Sequence, residues 1–140
     1  MAQLGKNMSD ESEEGLLPKV MVVDDDEDVR EILGQTLMKN RYNVQLCESG
    51  MEAITSITAE TRVVILDMMM PDMDGTETCV ELQKKYPGVP VVFYSAYRTL
   101  LDQNKLGSYK PLGFVEQGAA GSKQYLLDLV KKSCEQPYLK

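Results

Sequence analysis

Short apolar runs alternate along this chain with segments whose apolar residues recur at helical spacing. Residues 19–24 (KVMVVD) and 62–68 (RVVILDM) are continuous and Val-rich, as strands buried on both faces are. Residues 90–95 (PVVFYS) and the short 113–116 (GFVE) read as two more strands. YNVQLCE alternates apolar and polar residues, which suits a strand nearer the edge of a sheet. Between them, residues 26–40 place Val29, Ile32, Leu33 and Leu37 on one helical face. GMEAITSIT does the same with Met51, Ala53, Ile54 and Ile57. TETCVELQKKY follows as a helix that Pro87 and Gly88 stop. A weak helix is expected over residues 99–106. Ser122 is expected to cap a last helix, with Tyr125, Leu126, Leu129 and Val130 as its buried stripe. Five strands alternating with five helices predict right-handed βαβ units: an α/β domain with a doubly wound parallel sheet and helices on both faces.

Composition narrows the function. The chain of 140 residues fits one domain. Residues 1–17 are polar and acidic with no hydrophobic period and read as a disordered acidic tail, leaving a domain at 18–140. The net charge is −7, of which the first fourteen residues (one Lys, four acids) hold −3. An acidic chain is a poor match for nucleic acid or an anionic membrane surface, so neither is expected as a direct partner. Cys47, Cys79 and Cys134 are dispersed and read as reduced, buried thiols. With no histidine, His-based acid–base chemistry is excluded and a zinc site is disfavoured. No apolar run approaches the ~20 residues needed to span a bilayer, and the expected location is the cytoplasm.

Functional residues of open α/β sheets collect at the carboxyl ends of strands. Asp24 and Asp25 follow the first predicted strand and Asp67 ends the third. If those strands are neighbours, ~4.8 Å apart, the three carboxylates converge in one crevice. Converging carboxylates stay ionised only beside a cation, or else a pKa rises. An oxygen-rich site with room for water and a phosphoryl group suits Mg²⁺, beside which a carboxylate can act as a nucleophile towards phosphorus. The plainer alternative is that each Asp is a turn former or helix cap, the role expected of Asp26 and Asp28.

The same residues carry a resemblance. VMVVDDDEDVREIL resembles the opening of bacterial response-regulator receivers, LDMMMPDMDG the segment around their phosphorylated aspartate, and VVFYSA their fourth strand. The match covers nearly all the chain from residue 19 to 136. It implies the flavodoxin-like fold with strand order 2-1-3-4-5. It also implies a stand-alone receiver of the CheY-like kind in phosphorelay, or two-component, signalling. Asp67 would accept a phosphoryl group from a sensor histidine kinase or phosphotransfer protein. Asp25, Asp67 and the backbone carbonyl of Met69 would bind Mg²⁺, with Asp24 helping through water. Ser95 and the aromatic Phe114 would move as the switch is thrown. Pro71 and Gly75 would shape the loop after the acceptor, and Met69 and Tyr97 would tune phosphoryl lifetime. Such a protein is a phosphoacceptor that promotes its own phosphorylation and dephosphorylation, not an enzyme with a separate substrate.

The chain departs from the family at its lysine. The family's K-P pair after strand five is met here by Gln117 and Gly118. Lys110 and Pro111 come too early, leaving only residues 96–109 for the fourth helix and fifth strand. Lys123 is the other basic residue that could reach inward, though nothing in the sequence requires it. Gln117 therefore keeps a second reading open: an atypical pseudo-receiver that binds partners without phosphate. A third reading rests on residues 72–76 (DMDGT), which resemble a haloacid-dehalogenase nucleophile motif. Pro71 stands where that motif needs a buried strand, which opposes it. No helix-turn-helix or basic stretch follows Gln136, so the output is expected to be an unknown downstream protein.

Overall fold

The computed structural model describes residues 17–96 and 102–135. Its elements, in chain order, are β1 (Lys19–Val23), α1 (Glu27–Lys39), β2 (Asn43–Cys47), α2 (Gly50–Ser56), β3 (Thr61–Leu66), α3 (Gly75–Lys85), β4 (Val91–Ser95), α4 (Gln103–Leu106), β5 (Gly113–Glu116) and α5 (Ser122–Glu135). The five strands form one parallel sheet in the order β2-β1-β3-β4-β5. This is the flavodoxin-like order expected from the sequence. The expected disordered tail falls almost wholly on residues outside those described.

The two cores follow from strand alternation. Val20, Val22, Val63, Ile65 and Val92 point to one face, where Leu33 and Leu37 of α1 and Leu126 and Val130 of α5 cover them. Met21, Val23, Val64, Leu66 and Phe93 point to the other, covered by Ala53 of α2, Cys79 and Leu82 of α3, and Leu106 of α4. Each such side chain, fully buried, contributes ~1.5–3 kcal/mol. Cys47 and Cys79 are buried free thiols, and burial pushes the Cys79 thiol up to about 12, so it stays protonated.

Helix ends differ from expectation in two places. Asp26 is the N-cap of α1, its carboxylate accepting from the amides of Asp28 and Val29, but Asp28 itself lies in the first turn. Ser122 is the first residue of α5 rather than its cap, and its hydroxyl hydrogen-bonds with Tyr94. Three residues expected in buried stripes, Ile32, Met51 and Tyr125, are about half exposed. The stripes are narrower than drawn, because each of these residues sits at a helix flank that the sheet does not reach. The expected helix over residues 99–106 is a single turn at 103–106, with 99–101 outside the described residues.

What positions the site is the order of the sheet. The chain leaves β1 towards β2 and returns to place β3 on β1's other side. The carboxyl ends of β1 and β3 therefore open a crevice between loops that run in opposite directions.

Candidate functional site

Backbone pairing continues one residue past the strands on both sides of the crevice. The Asp67 amide donates to the Val23 carbonyl at 3.0 Å, and the Asp24 amide donates to the Cys47 carbonyl at 3.1 Å. This fixes Asp24 and Asp67 side by side, and Asp25 follows at the loop's exposed rim. Ligand oxygens of Asp24, Asp25 and Asp67 all lie within 4.8 Å of one another. Oxygens around Mg²⁺ at ~2.1 Å are themselves ~3–4 Å apart, so this hard-oxygen set fits such an ion.

The three carboxylates differ in environment. Asp24 is 4% exposed, and its Oδ1 accepts from the Asp26 amide at 2.9 Å. Burial, reinforced by the charges of Asp67, Asp25 and Asp26, pushes its carboxyl up to about 7 despite that hydrogen bond. Burial also raises Asp67, and the Asp25 charge adds to the shift. Hydrogen bonds from the Ser95 hydroxyl and from the Met68 and Met69 amides work against it. The Met68 amide reaches Asp67 Oδ1 at 2.8 Å.

Of the other predicted residues, Ser95, Met69, Pro71 and Gln117 line, together with the acids, a cleft of about 540 Å³. Ser95 is the last residue of β4 and is buried. Gln117 follows β5, and its amide donates to the Ser95 carbonyl at 3.0 Å, which holds residue 117 beside the acceptor. Lys110 lies before β5, exposed and away from the cleft. Lys123 lines an adjoining cavity that shares Val29 and Gln117 with it. Among the described residues lining the acid cleft, none is Lys or Arg. Gly118 has φ +89°, a left-handed conformation. Phe114, on β5, packs on Phe93 with ring centroids 6.1 Å apart. Tyr97 lies outside the described residues.

Gly75 begins α3 directly beneath the acceptor. Its amide donates to the Met68 carbonyl at 2.9 Å, and a Cβ there would collide with the Asp67 carbonyl oxygen. Asp74 and Glu77 close a capping box that fixes this helix start. Sequence reasoning missed Arg30, whose Nη1 donates to the Asp24 carbonyl at 2.8 Å and ties α1 to the acid loop. An arginine one turn into a helix carries no motif that announces such a bond.

Comparisons with known proteins bear on the fold that carries this cleft. The family model of the response regulator receiver domain matches residues 20–117. Over 87 residues the chain is 34% identical to the uncharacterized transcriptional regulatory protein YrkP of Bacillus subtilis, covering 62% of this chain and 37% of that protein. It is 39% identical over 79 residues to the response regulator MprA of Mycolicibacterium vanbaalenii, covering 56% and 34%. The chain thus spans about a third of the length of the curated relatives it matches. The response regulator TrrA of Thermotoga maritima, solved with Mg²⁺ and a beryllofluoride group, superposes with TM-score 0.70 at 27% identity, covering 84% of this chain and 99% of that one. A receiver domain from Clostridium thermocellum shares the fold at TM-score 0.74 and 20% identity, over 85% and 95%. Among the described residues, no helix is long and apolar enough to cross a membrane.

Proposed function

Because this chain belongs to the response regulator receiver domain family of two-component signalling, we propose that it is a phosphorylation-controlled switch whose acceptor is Asp67. The observation that carries the reading is the convergence of Asp24, Asp25 and Asp67 within 4.8 Å at the sheet's switch point, with the Ser95 hydroxyl bonded to the acceptor.

In this reading Asp24, Asp25, Asp67 and the carbonyl of Met69 hold Mg²⁺. The ion supplies positive charge against the phosphoryl oxygens and the crowded carboxylates. The Asp67 carboxylate attacks phosphorus on a phosphohistidine of a partner kinase or phosphotransfer protein. An O–P bond forms as the P–N bond breaks, and the imidazole nitrogen keeps the electron pair and takes up a proton. Ser95 turns its hydroxyl from the carboxylate to a phosphoryl oxygen, and Phe114 follows. Hydrolysis reverses the state, with water's oxygen joining phosphorus and Asp67 leaving as carboxylate. The protein is a signalling acceptor rather than an enzyme with its own substrate, and it passes the signal to a downstream protein. YrkP's transcriptional role is not carried over, since the match covers about a third of that protein.

Incubation with a small-molecule phosphodonor and Mg²⁺, followed by mass spectrometry, tests this. The expected result is one added phosphoryl group, dependent on Mg²⁺ and lost in Asp67→Asn. Absence of labelling with every donor would favour the phosphate-independent pseudo-receiver, which Gln117 in the cleft otherwise supports.

A further inference from the structure

The cleft's charge balance rests on residue 117. Asp24, Asp25 and Asp67 bring three acidic groups together, and modification of Asp67 replaces one carboxylate by a group carrying about two negative charges. The residue whose backbone amide is bonded to the Ser95 carbonyl at 3.0 Å, and which lines the cleft, carries a neutral side chain, Gln117. Arg30 donates its Nη1 to the Asp24 carbonyl and lines the neighbouring cavity that shares Asp25, Met70 and Pro71 with the cleft, not the cleft itself. Lys123 lines the adjoining cavity, and Arg98 lies outside the described residues.

We infer that Gln117 makes this a site whose switched state is held by the divalent ion. The ion binds the resting cleft tightly because no ammonium among the described residues lining the cleft competes with it. Its removal lets the switched state collapse, because none of the described residues lining the cleft is a cation that could grip the phosphoryl oxygens. The controlling variable would then be metal occupancy as well as phosphorylation. This rests on the receiver reading proposed above.

The test is a charge series at one position, in the whole chain. Mg²⁺ affinity is measured by calorimetry or amide NMR shifts for wild type, Gln117→Lys and Gln117→Glu. A unit charge ~6 Å from a doubly charged ion in a water-like dielectric changes affinity about tenfold. Affinity is therefore expected to fall about tenfold in Gln117→Lys and to rise about tenfold in Gln117→Glu. Arg98→Gln and Lys123→Gln are expected to stay within twofold of wild type. Each protein is then loaded with beryllofluoride and Mg²⁺, and the shifts of Phe114 are followed after a chelator is added. The mimic should leave wild type about tenfold faster than Gln117→Lys, since an ammonium grips fluoride more strongly than an amide does.

A flat Gln117 series overturns the inference. So does a tightening of about tenfold in Arg98→Gln or Lys123→Gln, which would give that residue the lysine's role. Should Gln117→Lys fail to fold, the Gln117→Glu arm decides alone, because it predicts the opposite sign. The two readings fail separately. Loss of Mg²⁺ binding in Asp25→Ala and Asp67→Asn with a flat Gln117 series sinks only this inference. Mg²⁺ binding that ignores Asp25 and Asp67 sinks the receiver reading itself.

Discussion

Asp24→Asn removes a buried charge while keeping the side chain's shape and an oxygen that accepts from the Asp26 amide. In wild type, burial first and neighbouring acids second push the Asp24 carboxyl from 3.8 up to about 7. Unfolding returns it to its ordinary value. Below about pH 4 both states hold the proton, and the contribution to stability is whole. Between the two values only the folded state keeps it, so stability falls as pH rises, at most about 1.4 kcal/mol per pH unit for one proton. Above about 7 the loss is complete. The whole shift corresponds to at most about 4 kcal/mol, less whatever water in the cleft screens. Asp67, also raised, acts in the same direction. Urea melts in divalent-free buffer should therefore show wild type less stable at pH 8 than at pH 5. Asp24→Asn should match wild type near pH 3 and exceed it by about 2–4 kcal/mol at pH 8. Saturating Mg²⁺ should flatten the wild-type slope, because the ion favours the ionised form. A wild type equally stable at both pH values, with Asp24→Asn no better at pH 8, would refute the argument that the cleft stores this repulsion.

Three further outcomes are expected. Gly75→Ala should destabilise the fold by about 1–3 kcal/mol in thermal or urea melts, since its Cβ meets the Asp67 carbonyl oxygen, and should lower Mg²⁺ affinity by shifting the acceptor. Tyr109→Phe should cost about 1–3 kcal/mol by the same melts, because the buried hydroxyl donates to the Val89 carbonyl and accepts from the Val91 amide, both at 3.1 Å. Ser95→Ala should raise the Asp67 pKa further, read by NMR titration of the carboxyl in the metal-free protein, since the Ser95 hydrogen bond is the largest of the three that oppose the upward shift.

The acid cleft was legible because strand ends have a clear pattern. The apolar runs read at residues 19–24 and 62–68 carried acids at their carboxyl ends, and the strands themselves stop just before those acids, at Val23 and Leu66. Adjacency of β1 and β3 was only a condition until the sheet order supplied it. Helical spacing named the right faces but overstated their width at Ile32, Met51 and Tyr125, because period alone does not say how far the opposing layer extends. The anchoring bonds of Arg30 and Tyr109 could not be read at all. A side chain that meets a backbone carbonyl of another segment leaves no trace in spacing. Gln117 was assigned to the family's lysine position from the resemblance alone; the structure adds that its backbone amide pairs with the Ser95 carbonyl.

The left-handed turn at Gly118 bears on how this site could revert. Proline's ring fixes φ near −65°, so a proline cannot follow residue 117 along the present path, and a β-branched residue would be strained there. Restoring the family's Lys-Pro pair is therefore not two independent point changes. A lysine at 117 can be placed on the existing backbone, but a proline at 118 demands that φ there change from +89° to about −65°. Charge at position 117 and proline at position 118 are thus unequal demands: the backbone accepts the first as it stands and excludes the second by its φ angle.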